Sequence, residues 1–250
     1  MIVTNQGNLW VIGTLLIAPC IGSWLGVAFA RGVFAPGRSR CMGCGARLGV
    51  IDLVPIVSFL ALRGRCRRCG DLIPISLLFI EVALLMIAVI AALVEPSGPA
   101  VALATGLGAV LFALAWIDFH TMRLPDAITL PLLLAGLIVC AGSDATALTA
   151  HAAAAALAYL GLRGIARLYR RLRGIEGIGA GDAKLLAAGG AWLGPAALPD
   201  VLVLAGISGL LWFGILAARG RLAPGQRIPF GPALALAIWV LWLHHDAQLS

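Results

Sequence analysis

Long runs of apolar residues dominate the pattern along this chain, and only short polar stretches interrupt most of them. The runs lack the alternation of apolar and polar positions that marks a membrane-barrel strand. A helix needs roughly 20 apolar residues to cross a bilayer, so the pattern predicts an all-α integral membrane protein of about eight transmembrane helices. The predicted spans are residues 8–30, 73–94, 99–117, 126–142, 146–163, 183–198, 200–217 and 229–245.

The composition agrees with lipid as the main solvent of the chain. Of the 250 residues, 61% are hydrophobic and 12% are charged, whereas a soluble domain carries about 25% charged residues. No Lys or Arg precedes the first apolar run, and positive charge follows it. Both features oppose a signal peptide, so we interpret the first run as an uncleaved transmembrane helix.

The charge of the connections predicts the topology. The basic residues concentrate after the first, fifth and seventh spans, whereas the connections on the other side hold Glu95, Asp144 and Asp200 and neither Lys nor Arg. By the positive-inside rule, the basic connections face the cytoplasm and both termini lie outside. Topology and anionic lipid headgroups account for the net charge of +7, so we expect membrane lipid and no nucleic acid as a partner.

One polar segment, residues 31–72, is long enough to form a domain outside the membrane. The chain is therefore predicted to consist of a first transmembrane helix at 1–30, a small cytoplasmic domain at 31–72 and a membrane-embedded bundle at 73–250. Within the bundle, two longer cytoplasmic connections are predicted at 163–182 and 218–228.

Four cysteines of this cytoplasmic domain form two Cys-x-x-Cys pairs, each followed by glycine. Two such turns present four thiolates to one tetrahedral zinc ion and leave no open coordination position, so the predicted zinc is structural. The metal would stabilise a segment too small and polar to build its own core. Two disulfides are the first alternative, although they rarely persist in the cytoplasm. A redox pair is the second, although no βαβ pattern surrounds it. The predicted ligands are Cys41, Cys44, Cys66 and Cys69.

Two aspartates, Asp118 and Asp182, fall where predicted spans meet the cytoplasmic side. An ionisable residue at membrane depth is costly and by default indicates a functional site. Two adjacent carboxylates at low dielectric share one proton, so one activates water while the other donates, as in aspartic proteases. A structural alternative exists for each, with Asp118 ending a helix and Asp182 as an N-cap. Asp126 looks like an ordinary N-cap, and sequence spacing does not show that Asp118 and Asp182 meet.

The motifs along the chain resemble, in order, those of the prepilin peptidases, also called type IV leader peptidases. These are membrane-embedded aspartic proteases, and the resemblance extends over nearly the whole chain. It is carried by Gly22-Ser23, by residues 38–41, 52–58 and 62–70 around the cysteine pairs, by residues 118–131, by Gly-x-Gly-Asp at 179–182 and by Pro-Phe-Gly-Pro at 229–232.

The resemblance implies removal of short basic leader peptides from type IV prepilins and type II secretion pseudopilins. The enzyme would lie in the bacterial inner membrane, with both termini periplasmic and the active site facing the cytoplasm. Asp118 and Asp182 match the catalytic pair of the family. Many members also methylate the new N-terminus, which would require S-adenosylmethionine as a cofactor. Two alternatives stay open: a transporter that uses both aspartates as ion or proton sites, and an inactive scaffold of a secretion apparatus.

The chain departs from the family pattern at two places that border the cytoplasmic domain. An Asn and a Tyr expected at the end of the first span are missing, and of an Arg-Tyr-Pro run that precedes a glutamate only Glu81 remains. No glycine-rich turn of a Rossmann-type methyltransferase is present either. The sequence therefore predicts proteolysis and leaves methylation undecided. Glu81, inside the second span, is either a packing residue or a contact to the substrate amine or to S-adenosylmethionine.

Overall fold

The computed structural model describes residues 3–31, 40–41, 43–143, 146–174, 179–220 and 229–249. Within these ranges the regular secondary structure is α-helical, apart from a 3-10 turn and two isolated β-bridges in the cysteine segment. The all-α prediction is therefore confirmed. The helices are α1 (Val3–Arg31), α2 (Val57–Ala61), α3 (Ile75–Val94), α4 (Gly98–Thr121), α5 (Asp126–Ser143), α6 (Leu148–Arg173), α7 (Ala180–Leu193), α8 (Leu198–Ala218) and α9 (Gly231–Leu249).

Five helices of the described part are long and apolar enough to cross a membrane. Two shorter apolar helices, Asp126–Gly142 and Gly231–His244, accompany them. The chain is thus a helical membrane protein, while the count of eight spans stays a prediction. The five candidate spans are Gly7–Ala30, Ile75–Val94, Gly98–Thr121, Leu148–Arg173 and Leu198–Ala218.

The chain forms two compact units, Met1–Ala109 and Val110–Ser250. In the first unit, α1 packs along α3. Gly22 lies at a close approach between the two helices, because a Cβ atom there would come within 2.8 Å of the Cα of Glu81. Large apolar side chains elsewhere on α1, such as Trp10 and Trp24, are exposed, as expected of a helix that faces lipid.

The second unit is built around α7, and α5, α6, α8 and α9 pack against this helix. Every residue from Leu185 to Leu193 is buried. Small residues make this possible, since a Cβ on Gly190 would lie 2.9 Å from the carbonyl carbon of Ala154. The indole of Trp192 donates a hydrogen bond of 2.8 Å to the carbonyl of Leu132. The first turn of α7 is thereby held in a rigid bundle.

One predicted connection is wrong in part. Residues 163–173 belong to α6, whereas the sequence interpretation placed them in a cytoplasmic loop. Arginines and apolar residues alternate there with the period of an amphipathic helix, so the charge that ended the predicted span does not end the helix. The helix terminates at Gly174, which has a φ of 72°. Of the other predicted connection, 218–228, residues 221–228 lie outside the described part.

Candidate active site and candidate metal centre

The carboxylate of Asp118 is held by a residue far away in the sequence. Asp118 lies in the last turns of α4 and is 6% exposed. The backbone N–H of Gly231 donates a hydrogen bond of 3.0 Å to its Oδ2 atom. Gly231 begins α9, and the first N–H groups of a helix lack intrahelical partners and favour negative charge. Asp118 is therefore more than the end of a helix.

Only glycine fits at position 231. A Cβ atom there would lie 2.6 Å from Oδ2 of Asp118, much closer than van der Waals contact. The Pro-Phe-Gly-Pro motif at 229–232 contributed to the family resemblance, but the sequence alone assigned it no role. The structure supplies that role, because the glycine lets the α9 backbone reach a buried carboxylate. The signal in the sequence was a single glycine, preceded by Phe230 and followed by Pro232, at the start of an apolar run.

Asp182 is the third residue of α7, and Gly179 occupies the N-cap position. The alternative of Asp182 as an N-cap is therefore wrong. Instead, the backbone N–H of Gly179 donates a hydrogen bond to the Asp182 carboxylate. An acidic residue in this position of the first turn bonds back to the N-cap, as in the capping box. This bond fixes the direction of the Asp182 side chain.

The glycine before Asp182 has a packing function. A Cβ atom on Gly181 would come within 2.9 Å of the Cβ of Leu124. Leu124 is 9% exposed and belongs to the connection between α4 and α5. The absence of a side chain at Gly181 thus brings the start of α7 against the segment that follows Asp118. Gly177, two residues before Gly179, lies outside the described residues.

Asp118 and Asp182 line the same cavity, which has a volume of about 480 Å³. The two carboxylates are near enough for direct electrostatic interaction. Met122 and Arg123 also line the cavity, and Met122 has a positive φ of 54°. This strained turn directs the chain from the end of α4 into the connection beside the cavity. The structure therefore brings together the two aspartates whose meeting the sequence could not predict.

A fixed ion pair borders the same cavity. Asp126 was predicted as the N-cap of its helix, but it is the first residue inside α5. Its Oδ1 atom lies 2.5 Å from Nζ of Lys184. Lys184 follows Asp182 on α7, and both members of the pair line the cavity. The pair joins the two helices that carry the aspartate segments. The sequence named Asp126 as a candidate N-cap but gave no sign of its pairing with Lys184.

The four predicted cysteine ligands converge. Their Sγ atoms all lie within 4.8 Å of one another, and the Sγ atoms of Cys41 and Cys69 are 3.7 Å apart. The four thiols are free, and this separation is far longer than a disulfide bond of about 2.05 Å. The donor set of four sulfurs fits a tetrahedral metal ion. The four cysteines therefore form a cluster that could hold a metal ion, and the disulfide alternative finds no support.

The two cysteine turns are copies of one local structure. The N–H of Gly45 donates to the carbonyl of Cys41 at 3.0 Å, and the N–H of Gly70 donates to that of Cys66 at 2.9 Å. Both glycines have a positive φ, 67° and 72°, which favours glycine. The glycine after each pair is thus required by the turn that aims its sulfurs.

The turns also activate one of the thiols. Backbone N–H groups of Cys69 and Arg68 point at the sulfur of Cys66 and lower its pKa to about 6. A metal binds the thiolate rather than the thiol. The first thiolate of the cluster therefore forms at Cys66, whereas the neighbouring cysteines and burial raise the pKa of Cys69 to about 12.

Glu81 is buried within the first unit, where it is 8% exposed. Its Oε2 atom accepts a hydrogen bond of 2.7 Å from the backbone N–H of Ile56. Ile56 has a φ of 61°, which is an outlier for a β-branched residue. Glu81 is therefore tied to the cysteine segment and is not simply a packing residue of α3.

Comparison with known proteins gives concordant matches along the chain. The family "Type IV leader peptidase family" matches residues 105–214, and "Bacterial Peptidase A24 N-terminal domain" matches residues 16–94. The "Prepilin leader peptidase/N-methyltransferase" of Burkholderia pseudomallei is 46% identical over 219 residues, which cover 87% of this chain and 70% of the relative. The chain belongs to the type IV leader peptidase family.

Relatives of the same name extend the comparison. That of Aeromonas salmonicida is 37% identical over 211 residues, covering 84% of this chain and 72% of the relative. That of Neisseria gonorrhoeae is 35% identical over 212 residues, again covering 84% and 72%. No solved structure matches the chain.

Family membership settles two sequence-based predictions. The chain is a leader peptidase of the prepilin-processing type, as its motif order indicated. The alternative of a transporter receives no support from any comparison. The family match at 105–214 contains both predicted catalytic aspartates, Asp118 and Asp182. The N-terminal match at 16–94 contains the cysteine cluster and Glu81.

Proposed function

We propose that this enzyme removes the leader peptides of type IV prepilins and type II secretion pseudopilins, with Asp118 and Asp182 as its acid–base pair. The observation that carries the proposal is that the two carboxylates line one cavity at the start of a buried helix. The names of the relatives support prepilins as substrates. The short basic leader and the pseudopilins follow from the motif resemblance.

The pair acts by holding one proton between two carboxylates. The ionised member removes a proton from a water molecule as the water oxygen attacks the scissile carbonyl carbon. The protonated member donates its proton to the carbonyl oxygen. When the tetrahedral intermediate collapses, the carboxylate that took the water proton gives it to the leaving amine nitrogen and the C–N bond breaks. The other carboxylate takes back a proton from a hydroxyl of the intermediate, which restores the starting state. Gly231 and Gly179 keep the two carboxylates oriented through their backbone N–H groups.

The proposed location is the bacterial inner membrane, with the cavity facing the cytoplasm and both termini in the periplasm. The distribution of basic residues supports this orientation by the positive-inside rule. The arginine-rich end of α6, which ends at Arg173, agrees with a cytoplasmic position near anionic headgroups.

The proposed metal is a structural zinc ion. Four thiolates would hold it with no open position, so its contribution is to the stability of the segment that contains Cys41–Cys69. The cluster geometry supports the fit. Proteolysis in this proposal uses no metal-bound water, and the cysteine domain serves as a scaffold.

The proposed second activity is methylation of the new N-terminal amine of the processed substrate. The relatives carry "N-methyltransferase" in their names. S-adenosylmethionine would supply the methyl group. Incubation of the purified enzyme with labelled S-adenosylmethionine and mature pilin tests this activity separately from cleavage.

The proposal for cleavage is tested by co-expression with a prepilin in cells that lack their own leader peptidase. We expect Asp118→Ala and Asp182→Ala each to leave the prepilin uncleaved while the variants accumulate in the membrane like wild type. The matched control is Asp200→Ala, since Asp200 is an exposed aspartate in the first turn of α8. The control should process normally. Normal processing by either Asp118→Ala or Asp182→Ala would contradict the assignment of these two residues as the acid–base pair.

A further inference from the structure

The helix that carries Asp118 ends on a residue type that is unusual for its backbone conformation. The N–H of Met122 donates a hydrogen bond of 2.8 Å to the carbonyl of Asp118, and Met122 has a φ of 54°. A left-handed helix end of this kind favours glycine, because a Cβ atom is strained there. In the described part of the second unit, Met122 is the one residue other than glycine with a positive φ.

Two other helices of this unit end in the same way, and both use glycine. At the end of α6, the N–H of Gly174 donates to the carbonyl of Arg170 at 2.9 Å, with a φ of 72°. At the end of α7, the N–H of Gly194 donates to the carbonyl of Gly190 at 3.0 Å, with a φ of 76°. The backbone of such an end needs no side chain, so a methionine there lowers the stability of the fold relative to glycine.

Core packing does not account for the methionine. The Met122 side chain is 43% exposed, and it lines the aspartate cavity. The buried anchor of this connection is Leu124, two residues later, which contacts the start of α7 at Gly181. A strained residue whose side chain does not fill the core indicates a function for that side chain.

The cavity wall near Met122 is apolar beside the two carboxylates. Ile117, Leu124 and Pro125 line the same cavity. A wall of this kind binds an apolar side chain, while the few polar groups of the cavity act on the peptide bond. Methionine is unbranched and polarizable, so it adapts to apolar partners of different shapes. This property suits an enzyme whose proposed substrates are several pilin-like proteins.

We propose that the Met122 side chain contacts an apolar side chain of the substrate next to the scissile bond, and so helps to determine which sequences are cleaved. The inference rests on the proposed function, because it requires a peptide substrate in the aspartate cavity. Met122 takes no part in the proton transfers assigned to Asp118 and Asp182. Its strained backbone places the side chain on the cavity wall, and the contact with the substrate is the compensating gain.

The first test measures stability and cleavage in the same variants of the purified full-length enzyme in lipid nanodiscs. Met122→Gly should raise the melting temperature by about 2–4 °C, because it relieves the backbone strain. It should nevertheless lower the kcat/KM of prepilin cleavage about tenfold, mainly through KM, because the apolar contact is lost. Met122→Ala keeps the strain but shortens the side chain, so it should lower kcat/KM equally with little change in melting temperature.

Two further variants serve as controls. Met122→Leu conserves an apolar side chain of similar volume and should cleave within about threefold of wild type. Gly174→Met is the reciprocal change: a Cβ atom at Gly174 meets no atom within 4 Å, and the residue is absent from the cavity lining. It should lower the melting temperature by about 2–4 °C and cleave at the wild-type rate.

The second test changes the substrate. Apolar residues larger than alanine, within two positions of the scissile bond, are replaced by alanine one at a time. Each substrate is assayed with wild-type enzyme and with Met122→Ala. At one position, the replacement should lower kcat/KM about tenfold with wild type but about threefold or less with Met122→Ala, because that contact is already lost.

Several outcomes overturn the inference while the peptidase proposal stands. These are wild-type kcat/KM in Met122→Ala, a melting temperature that does not rise in Met122→Gly, and independent effects of Met122→Ala at every substrate position. Loss of cleavage in Met122→Gly alone would also overturn it, because the effect would then come from the backbone. Wild-type enzyme that does not cleave prepilin contradicts the peptidase proposal and overturns the inference with it.

Discussion

The aspartate cavity and the cysteine cluster are both small groups of polar side chains, but they are assembled in opposite ways. The cysteines lie close together in the sequence, and two copies of one tight turn aim their sulfurs. The aspartates come from α4 and α7, and a third element, α9, reaches Asp118 through Gly231. One site is a product of local turns and the other of helix packing.

The surroundings of the two sites differ as well. Cys44 and Cys69 are exposed, so we expect the proposed metal ion to supply much of the stability of that segment. Asp182 instead begins a helix that is buried from Leu185 to Leu193. Removal of the metal should therefore destabilise the cysteine cluster. A methyl group added at a close helix contact should instead distort the aspartate cavity.

Among substitutions that leave the aspartates and cysteines in place, the largest expected effect comes from Gly231→Ala. The added methyl group would meet Asp118 at 2.6 Å, so either the carboxylate or the start of α9 must move. A displacement of about 1 Å at the reacting groups lowers the rate about 10²-fold. The measurement is the kcat/KM of prepilin cleavage by the purified enzyme.

The control for this variant is Gly214→Ala, because a methyl group there meets open space on α8. It should cleave at the wild-type rate. Equal activity of Gly231→Ala and Gly214→Ala would show that the α9 backbone does not position Asp118.

The next effect concerns the metal. Cys41→Ser and Cys66→Ser should each release about one zinc ion per chain, and the cysteine segment should become sensitive to limited proteolysis. Cleavage of prepilin should fall less than in Gly231→Ala, since the metal is structural. Metal analysis, proteolysis and the cleavage assay are made on one preparation, with Cys140→Ser as the control outside the cluster. Wild-type protein without zinc would contradict the prediction.

The smallest effect comes from the ion pair of Asp126 and Lys184. Both side chains are partly exposed, and such pairs contribute about 1 kcal/mol or less. Lys184→Met and Asp126→Asn should each lower cleavage about fivefold or less. In a double-mutant cycle the two effects should not add, because both remove the same interaction. Strictly additive effects would mean that the pair does not act as a unit.

The same contrast explains what the sequence could predict. The cysteine cluster was predictable residue by residue, because spacing within a turn determines where each sulfur points. Asp118 and Asp182 were recognisable one at a time, from their depth in the membrane and from the motifs around them. Their shared cavity was not predictable, since it depends on packing between distant helices.

Other features lay beyond the sequence for related reasons. The hydrogen bond from Gly231 and the pairing of Asp126 with Lys184 join residues far apart in the chain. The continuation of α6 to Arg173 was missed because the arginines were read as the end of a span, whereas a helix that leaves the membrane keeps its period while its polarity changes.

The central claim is that cutting belongs to the aspartate pair and not to the cysteine domain. The most direct measurement is prepilin cleavage by purified Asp182→Asn enzyme whose zinc content and thermal melting equal those of wild type. We predict that this metal-loaded, folded variant cleaves about 10²–10⁴-fold more slowly than wild type. Cleavage near the wild-type rate would contradict the claim.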